Sequence, residues 1–336
     1  MDKYDKRGRK AHGRNGQRNC SNRSRDRSGA QASDETVQSK PKGSCEVEGS
    51  METGKLTTIY LCTYNVRTLK DEEKLENLME DLEGFKWNVI GLAETRREGE
   101  GLTQLKGGAW FFNHGKTEDN VNARGVGFLI HPNFKDYIKE IKSYSNRVVA
   151  LNIQLARKDQ MCVIQVYAPT TDYEDVEVEE FYEDIDKAVK DNKGKYTIVM
   201  GDLNAKVGEC KNGEESILGK FGVGERNRRG EMLLEFAAEQ KLIIANTFFK
   251  KDKRRYWTWE SPNGVTRNQI DFILCSQKGI VNNCEVITKV DIASDHRMVR
   301  ATICINTKLA RLKFINNKKK KRIDILKLKE RKEEFN

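Results

Sequence analysis

A set of polar residues in this sequence stands where apolar, strand-like runs stop. Asn65 follows IYLCTY, Glu94 follows VIGLA, Tyr167 follows CVIQV, and Asp202 and Asn204 follow TIVMG. Asp271 lies inside NQIDFIL, and Asp295 and His296 follow VDIAS. Loops at strand ends, held by a rigid sheet, are where functional side chains collect. An ionised aspartate within an apolar strand is expensive unless paired, so Asp271 needs a partner, and His296 is the histidine in a carboxylate-rich setting. Carboxylates at 94, 202 and 295 with amides at 65 and 204 make a hard oxygen site. Such a site suits Mg²⁺, which keeps waters and accepts phosphate oxygens as further ligands. A histidine held by Asp271 can donate to a phosphoryl oxygen as charge builds there, and a neighbouring aspartate can orient or deprotonate a water. Together these are the parts for metal-assisted phosphodiester hydrolysis.

Each residue also has a plainer reading. Asn65, Asn204 and Glu94 could be turn or surface residues, Tyr167 a core aromatic, Asp271–His296 a structural pair, and Asp295 a turn cap with Ser294. The plainer readings weaken jointly, because each of these groups closes or interrupts a separate apolar strand.

The elements that must position them are short and β-branched. LTTIYLCTYNV, WNVIGLAE, GVGFLI, VVALNIQL, MCVIQVYAP, YTIVMGDLN, LIIAN, NQIDFIL and RATICI read as strands, several buried on both faces. Helical spacing appears at 71–83 (Leu75, Leu78, Met79, Leu82), 174–191 (Val178, Phe181, Ile185, Val189) and 229–240 (Leu233, Phe236, Ala237). More strands than helices, with hairpins among βαβ-like stretches, predict an α/β (α+β) sandwich with mixed sheets. There is no internal repeat of fixed period.

The chain has 336 residues, 61 Lys+Arg against 51 Asp+Glu, and a net charge of +10. Residues 1–28 hold ten Lys/Arg and three Asp, and residues 308–336 hold twelve Lys/Arg and four Asp/Glu. That leaves −5 for 29–307, so the basic character sits in the two ends. The composition predicts a disordered basic tail over 1–55, a folded domain over 56–307, and a second basic tail over 308–336 in which a short helix could form. Such tails suit a polyanion partner or a nuclear import receptor. They could equally be solvating ends with no specific partner. No apolar run reaches the ~18 residues of a membrane span, and no apolar stretch near the N-terminus reads as a secretory signal. The eight cysteines contain no C-x-x-C pair, and Cys62, Cys162 and Cys304 lie in strand-like runs as reduced core thiols. With the four histidines they give no zinc-site spacing.

The segments TYNVRTL (63–69), GLAETR (91–96), GVGFLI (125–130), QVYAPT (165–170), GDLNAKVG (201–208), ANTFF (245–249), NQIDFIL (268–274) and SDHRMV (294–299) resemble, in this order, the endonuclease/exonuclease/phosphatase superfamily. Within it they look like the apurinic-type endonuclease domain of RTE/BovB-like non-LTR retrotransposons. The resemblance implies a four-layer α/β sandwich of two mixed β-sheets flanked by helices. It implies a Mg²⁺-dependent DNA endonuclease leaving a 3′-hydroxyl nick, with Mn²⁺ able to substitute. By the same resemblance Glu94 binds the metal beside Asn65, with Asp295 close by. Asp202 activates the attacking water, Asn204 holds substrate oxygens, Tyr167 contacts the scissile phosphate, and Asp271 orients His296.

Three departures bear on substrate. Arg67 stands where repair enzymes of the family carry an aspartate, and Thr170 where they carry an asparagine. The hairpin after Trp259 looks short and carries no bulky wedge, which points away from tight abasic-site recognition and toward nicking guided by DNA shape. Arg67, Thr170 and Trp259 are then substrate contacts, Trp259 within the basic and aromatic run KRRYWTWES. The chain ends just past these segments with no reverse transcriptase, as expected of a truncated copy or a retained domain. DNA is the expected partner, a monomer the expected state, and the nucleus the expected location, with the cytoplasm the alternative. Two other functions compete: another phosphoesterase of the superfamily, such as a phosphatase or RNA exonuclease, and a weak or inactive protein that binds nucleic acid or chromatin.

Overall fold

The computed structural model describes residues 56–116, 124–156, 159–192, 194–290 and 292–306. Both expected basic tails, 1–55 and 308–336, lie outside these residues.

Fifteen strands follow in chain order: β1 (Leu56–Asn65), β2 (Val89–Ala93), β3 (Glu100–Gln104), β4 (Trp110–His114), β5 (Val126–Ile130), β6 (Ile138–Ser145), β7 (Val148–Ala156), β8 (Asp159–Tyr167), β9 (Tyr196–Asp202), β10 (Ile243–Ile244), β11 (Trp259–Glu260), β12 (Arg267–Asn268), β13 (Asp271–Cys275), β14 (Val281–Ile287) and β15 (Met298–Asn306). Three α-helices interleave: α1 (Glu72–Asp81), α2 (Asp175–Asp191) and α3 (Arg228–Glu239). Each helix falls within a residue or two of the span its periodicity predicts. Leu75 and Leu78 of α1, Val178, Phe181 and Ile185 of α2, and Leu233, Phe236 and Ala237 of α3 are buried as that spacing requires.

Seven strands form one sheet in the order β14-β15-β1-β2-β5-β4-β3, and six form a second in the order β10-β13-β9-β8-β7-β6. Both are mixed. Each has one parallel pair near its centre, β1 with β2 and β8 with β9, and antiparallel neighbours elsewhere. The sheets pack face to face through a shared apolar cluster that includes Ile59, Leu61, Val89, Phe128, Val163, Ile198, Met200, Ile273 and Ala301. Helices α2 and α3 cover the outer face of the six-stranded sheet, and α1 covers that of the seven-stranded one. This is the expected four-layer sandwich.

The period-2 alternation of a strand explains where the polar groups go. Along the inward face β1 presents Ile59, Leu61, Thr63 and Asn65. On the other sheet β8 presents Met161, Val163, Gln165 and Tyr167, and β9 presents Tyr196, Ile198, Met200 and Asp202. Each series passes from apolar to polar toward the same end of the sandwich. Register aligns them, with Asn65 opposite Ala93, and Asp202 opposite both Tyr167 and Asp271.

At the boundary between the apolar and polar zones, Thr63 Oγ donates to Gln165 Oε1 at 3.1 Å across the two sheets. The room for Gln165 comes from Gly91, where an added Cβ would fall 1.8 Å from Gln165 Oε1 and 2.9 Å from the Met200 methyl. Gly91→Ala should therefore lower stability by about 1–3 kcal/mol through overpacking, read as a drop in the urea midpoint. An unchanged midpoint would mean that this crossing does not set the sheet separation.

Candidate active site

Asn65 ends β1 and is 1% exposed. Its Oδ1 accepts the Arg67 N–H at 2.9 Å, which turns Nδ2 inward. Nδ2 donates to Glu94 Oε1 at 3.1 Å and to Asp202 Oδ2 at 2.9 Å, and lies 3.4 Å from His296 Nε2. One amide from the first sheet thus joins groups from both sheets and from the loop before β15. In this arrangement Asn65 offers a donor to the carboxylates rather than an oxygen ligand.

His296 lies between two aspartates. Its Nδ1 is 3.0 Å from Asp271 Oδ2, and its Nε2 is 3.7 Å from Asp202 Oδ2. All three side chains are buried. Burial alone would lower the imidazole's affinity for a proton, but the charges of Asp271 and Asp202 outweigh it and raise His296 to about 9. The ring is therefore an imidazolium at neutral pH, with both nitrogens donors. Its contact with Asn65 Nδ2 then sets donor against donor, and both N–H groups serve Asp202 Oδ2. Asp202 is itself pushed well above the ordinary carboxylate range, by burial first and then by the charge of Asp271. His296, Asn65 and the Asn204 N–H pull the other way. Asp271 is fixed from its backbone: its N–H donates to Thr258 Oγ at 3.1 Å, and its carbonyl accepts from Asn246 Nδ2 at 3.0 Å. Its Oδ1 is buried without a hydrogen-bond partner.

Glu94 follows β2 and is 7% exposed. Its Oε2 accepts from Arg96 and from Arg124, each at 2.9 Å. Burial raises its pKa, but hydrogen bonds from Asn65 and Arg96 and the charge of Arg124 overcome that and hold it below the usual range. Glu94 is thus an anion and Asp202 a readily protonated carboxylate. Environments that push paired carboxylates apart in this way mark acid and base roles. Tyr167 is 2% exposed and held as a neutral phenol by burial and by the nearby charges of Glu94 and Asp202. Asn204 N–H donates to Asp202 Oδ1 at 3.0 Å, and its Nδ2 donates to the Ala168 carbonyl at 2.8 Å. Asp295 Oδ2 accepts from Trp259 Nε1 at 3.1 Å, and Ser294 Oγ donates to the Asn65 carbonyl at 2.7 Å, tying the 294–296 turn to β1.

The backbone is strained here. Six described non-glycine residues have positive φ: Arg67, Glu94, Arg96, Asn204, Lys241 and Ala293. Lys241 follows the end of α3, and the other five flank the strand ends that carry the site. Left-handed non-glycine backbone costs on the order of 1–3 kcal/mol per residue and persists where the surroundings over-determine it.

These groups floor a cleft of about 440 Å³ lined by Glu94, Arg124, Tyr167, Thr170, Asp202, Asn204, Lys206, Trp259, Asn268, Asp295 and His296, among others. Of the expected substrate contacts, Thr170 and Trp259 line the cleft. Arg67 is exposed at its edge of β1 and contributes its backbone N–H to Asn65. Residues the sequence reading missed are Arg96, Arg124, Lys206, Asn246, Thr258 and Asn268. For Arg96 the signal was its place two residues after Glu94. Arg124 had none, since the contact with Glu94 spans thirty residues.

The donor set fits a hard dication. Carboxylates of Glu94 and Asp202 converge on one amide nitrogen, Asp295 opens on the same cleft, and all offer oxygen. Asp202, Asp271 and His296 also lie close enough together to suggest a cation site. A protonated imidazole has no lone pair to give, so a dication would find its oxygen donors on the Glu94 side of the cleft.

Residues 161–300 match a family model described as endonuclease-reverse transcriptase. Craniofacial development protein 2 of Bos taurus is 30% identical over 282 residues, covering 82% of this chain and 46% of that one. The protein of that name from Tragulus javanicus is 29% identical over 287 residues, covering 83% and 49%. The chain spans about half the length of the curated relatives it matches. The crystal structure of an AP endonuclease from Leishmania major is similar in fold, with a TM-score of 0.54 at 12% identity over 73% of this chain and 87% of that chain. No helix among the described residues is long and apolar enough to cross a membrane.

Because its folded-state pKa lies above the ordinary 6.5, the charged His296 stabilises the fold fully below about pH 6.5, and that contribution disappears as pH rises through about 9. His296→Gln should cost about 3–5 kcal/mol at pH 6, where it strands two buried carboxylates. Its deficit against wild type should shrink by pH 9.5, measured by denaturant unfolding at both values. A deficit independent of pH would mean that the native ring is neutral.

Proposed function

We propose that this chain, which carries a domain of the endonuclease/exonuclease/phosphatase superfamily, is a divalent-metal-dependent DNA endonuclease that hydrolyses one phosphodiester bond and leaves a 3′-hydroxyl end. The observation that carries this reading is the buried Asp202–His296–Asp271 row, joined through Asn65 to an ionised Glu94. It supplies a base, a phosphoryl-oxygen donor and a metal-holding carboxylate at one cleft.

Glu94 with Asp295 would hold the metal, which when bound neutralises phosphate charge and polarises the phosphorus centre. Asp202, with its raised proton affinity, takes the proton from the attacking water, and Asn65 and Asn204 hold the carboxylate in place. The water oxygen bonds to phosphorus, the bond from phosphorus to the 3′ oxygen breaks, and that oxygen takes a proton from solvent to leave as a hydroxyl, while Asp202 returns its proton to solvent. His296 carries its charge in the ground state, so its N–H faces the phosphoryl oxygen as negative charge gathers there, and Asp271 keeps the ring in place. Tyr167 faces the same cleft as a neutral phenol donor. Arg124 and Lys206 in the cleft wall favour an anionic backbone. The same oxygen donors would hold Mn²⁺ as well as Mg²⁺, and a nuclear location accords with a DNA substrate.

Supercoiled plasmid separates this activity from its competitors. With Mg²⁺ the protein should give nicked circles, EDTA should abolish the reaction, and Asp202→Asn should slow it by roughly 10²–10⁴-fold, the usual worth of a general base. Equal nicking by wild type and variant, or none by folded protein with Mg²⁺ or Mn²⁺, would overturn the reading.

A further inference from the structure

Beside the catalytic cleft lies a second cleft of about 550 Å³. Lys206 and Asn268 line both, so the two are contiguous. Part of its wall is the turn 219–225, which is pinned rather than loose. Gly222 sits so close to Gly208 that an added Cβ would fall 2.1 Å from the Gly208 carbonyl oxygen. Phe221 N–H donates to the Thr247 carbonyl at 2.9 Å. Arg226 braces the turn from behind, donating to the Val207 carbonyl and to the Glu214 carboxylate.

Three observations give this cleft a chemistry. Its lining carries Lys206, Lys220, Lys253 and Arg267 against a single acid, Glu225. Among the described residues none of the three lysines has a side-chain hydrogen bond or ion pair, so their charges are uncompensated within the fold. Next, two cations gather on one aromatic: the guanidiniums of Arg267 and Arg297 stand 4.7 Å and 3.1 Å from the centre of the Trp257 ring. Each is attracted to the ring but repelled by the other, and the Glu260 carboxylate relieves part of that cost by pairing with Arg267 at 2.9 Å. Third, Gln269 lines the cleft and is 6% exposed. Its Nε2 donates to the Tyr256 carbonyl at 2.9 Å, and its Oε1 is buried with no hydrogen-bond partner. A buried acceptor left unmade is costly, and an N–H donor entering from the cleft would satisfy it.

We propose that this second cleft is a subsite for a nucleotide of the substrate DNA strand beside the scissile bond, its phosphates taken by the unpaired Lys206, Lys220 and Lys253 and an N–H of its base by Gln269 Oε1. This rests on the nuclease reading above. Adenine, cytosine and guanine offer an exocyclic amino group that projects beyond the ring, whereas thymine offers only its N3–H, flanked by two carbonyl oxygens that repel Oε1, so Gln269 favours the amino-bearing bases. Trp257 is a positioning residue that, with Glu260, holds the Arg267 guanidinium at this wall. The site differs in kind from the catalytic cleft: it has no paired carboxylates and no candidate metal ligands, and it binds without reacting.

The test uses the full chain and the variants Lys220→Ala/Lys253→Ala and Gln269→Met, none of which touches the catalytic groups. Two substrates separate the sites: bis(p-nitrophenyl) phosphate, too small to reach beyond the catalytic cleft, and oligonucleotides varied in the base beside the cleavage position. Binding of a labelled single-stranded 20-mer is followed by anisotropy in EDTA across a salt series, independent of turnover. The lysine double variant should turn over the small diester like wild type, while KM for DNA rises about tenfold with kcat held within twofold. The slope of log affinity against log salt should fall by about 1.4, the loss of two single-strand phosphate contacts. Gln269→Met should keep that slope and lose a roughly tenfold preference for an amino-bearing base over thymine. Unchanged KM and slope in the double variant would overturn the subsite, and a wild type indifferent to the base would overturn the role of Gln269. If wild type cleaves neither substrate, the nuclease reading fails, and the salt slope still decides whether this cleft binds the strand.

Discussion

Two buried carboxylates can share one small space only if a cation stands between them, and here that cation is the His296 ring. Asp202 and Asp271 sit opposite each other on neighbouring strands, so sheet register alone would bring their charges together. Like charges at that range in a dry interior are expensive, and an isolated carboxylate there would protonate. The imidazolium is held between them by Asp271 on one side, by Asp202 on the other, and by the 294–296 turn that Ser294 fastens to β1. The two sheets must therefore pack in one relative position. If β1 slid along the six-stranded sheet, Asn65 would leave Asp202, and the Thr63–Gln165 crossing above Gly91 would clash.

That requirement explains the strain and the polar ties that cluster at this end. Arg67 adopts a left-handed backbone so that its N–H can cap Asn65 Oδ1, which orients the amide's donor toward Glu94 and Asp202. Asn204 does likewise just past β9, placing its own N–H on Asp202 Oδ1. On the far side of Asp271, Asn246 replaces a strand partner: its amide bonds both the Asp271 carbonyl and the Ile273 N–H, which is why β10 stops after two residues. The conformational cost falls on residues whose backbone groups serve the carboxylates, and the apolar layers beneath supply the stability that offsets it.

The central strands and all three helices were legible because their period is set by burial on one or both faces. Of the strands that escaped sequence reading, β4 is buried through its middle and β11 and β12 are two residues each, while the longer edge strands escaped because burial acts on them weakly. β3 is exposed along its length, β6 carries Lys and Glu on an edge, and β14 alternates Asn and Glu with its apolar positions. An edge strand owes its conformation to its neighbour's hydrogen bonds, and the local sequence carries little of that. The same division holds at the site. Asp271 was legible as an ion inside an apolar strand that needed a partner. The pairing of Arg124 with Glu94 was not, because a charge in a polar stretch looks the same whether it meets a carboxylate or water. Nor could sequence say which end of the Asn65 amide faces inward, since the neighbouring backbone N–H decides it.

Charge illustrates the limit most plainly. Residues 29–307 sum to −5, which would read as a domain that repels a polyanion. Yet at physiological salt, charges beyond roughly 8 Å of one another are largely screened, so what a strand meets is the local arrangement and not the sum. Many of the acids of this domain lie on helices α1 and α2, and those of the buried floor are answered by arginines and His296. Lys206, Lys220 and Lys253 remain unpaired along two contiguous clefts, beside Arg124 paired with Glu94 and Arg267 paired with Glu260. A phosphate chain entering there passes from cations that hold it to a floor of carboxylates that would repel it. The same floor is where oxygen donors suited to a dication converge. In the proposed reaction, repulsion at the floor and attraction along the walls would leave one phosphate over the carboxylates that would hold the metal, a placement set by the local arrangement of charge and not by its sum over the chain.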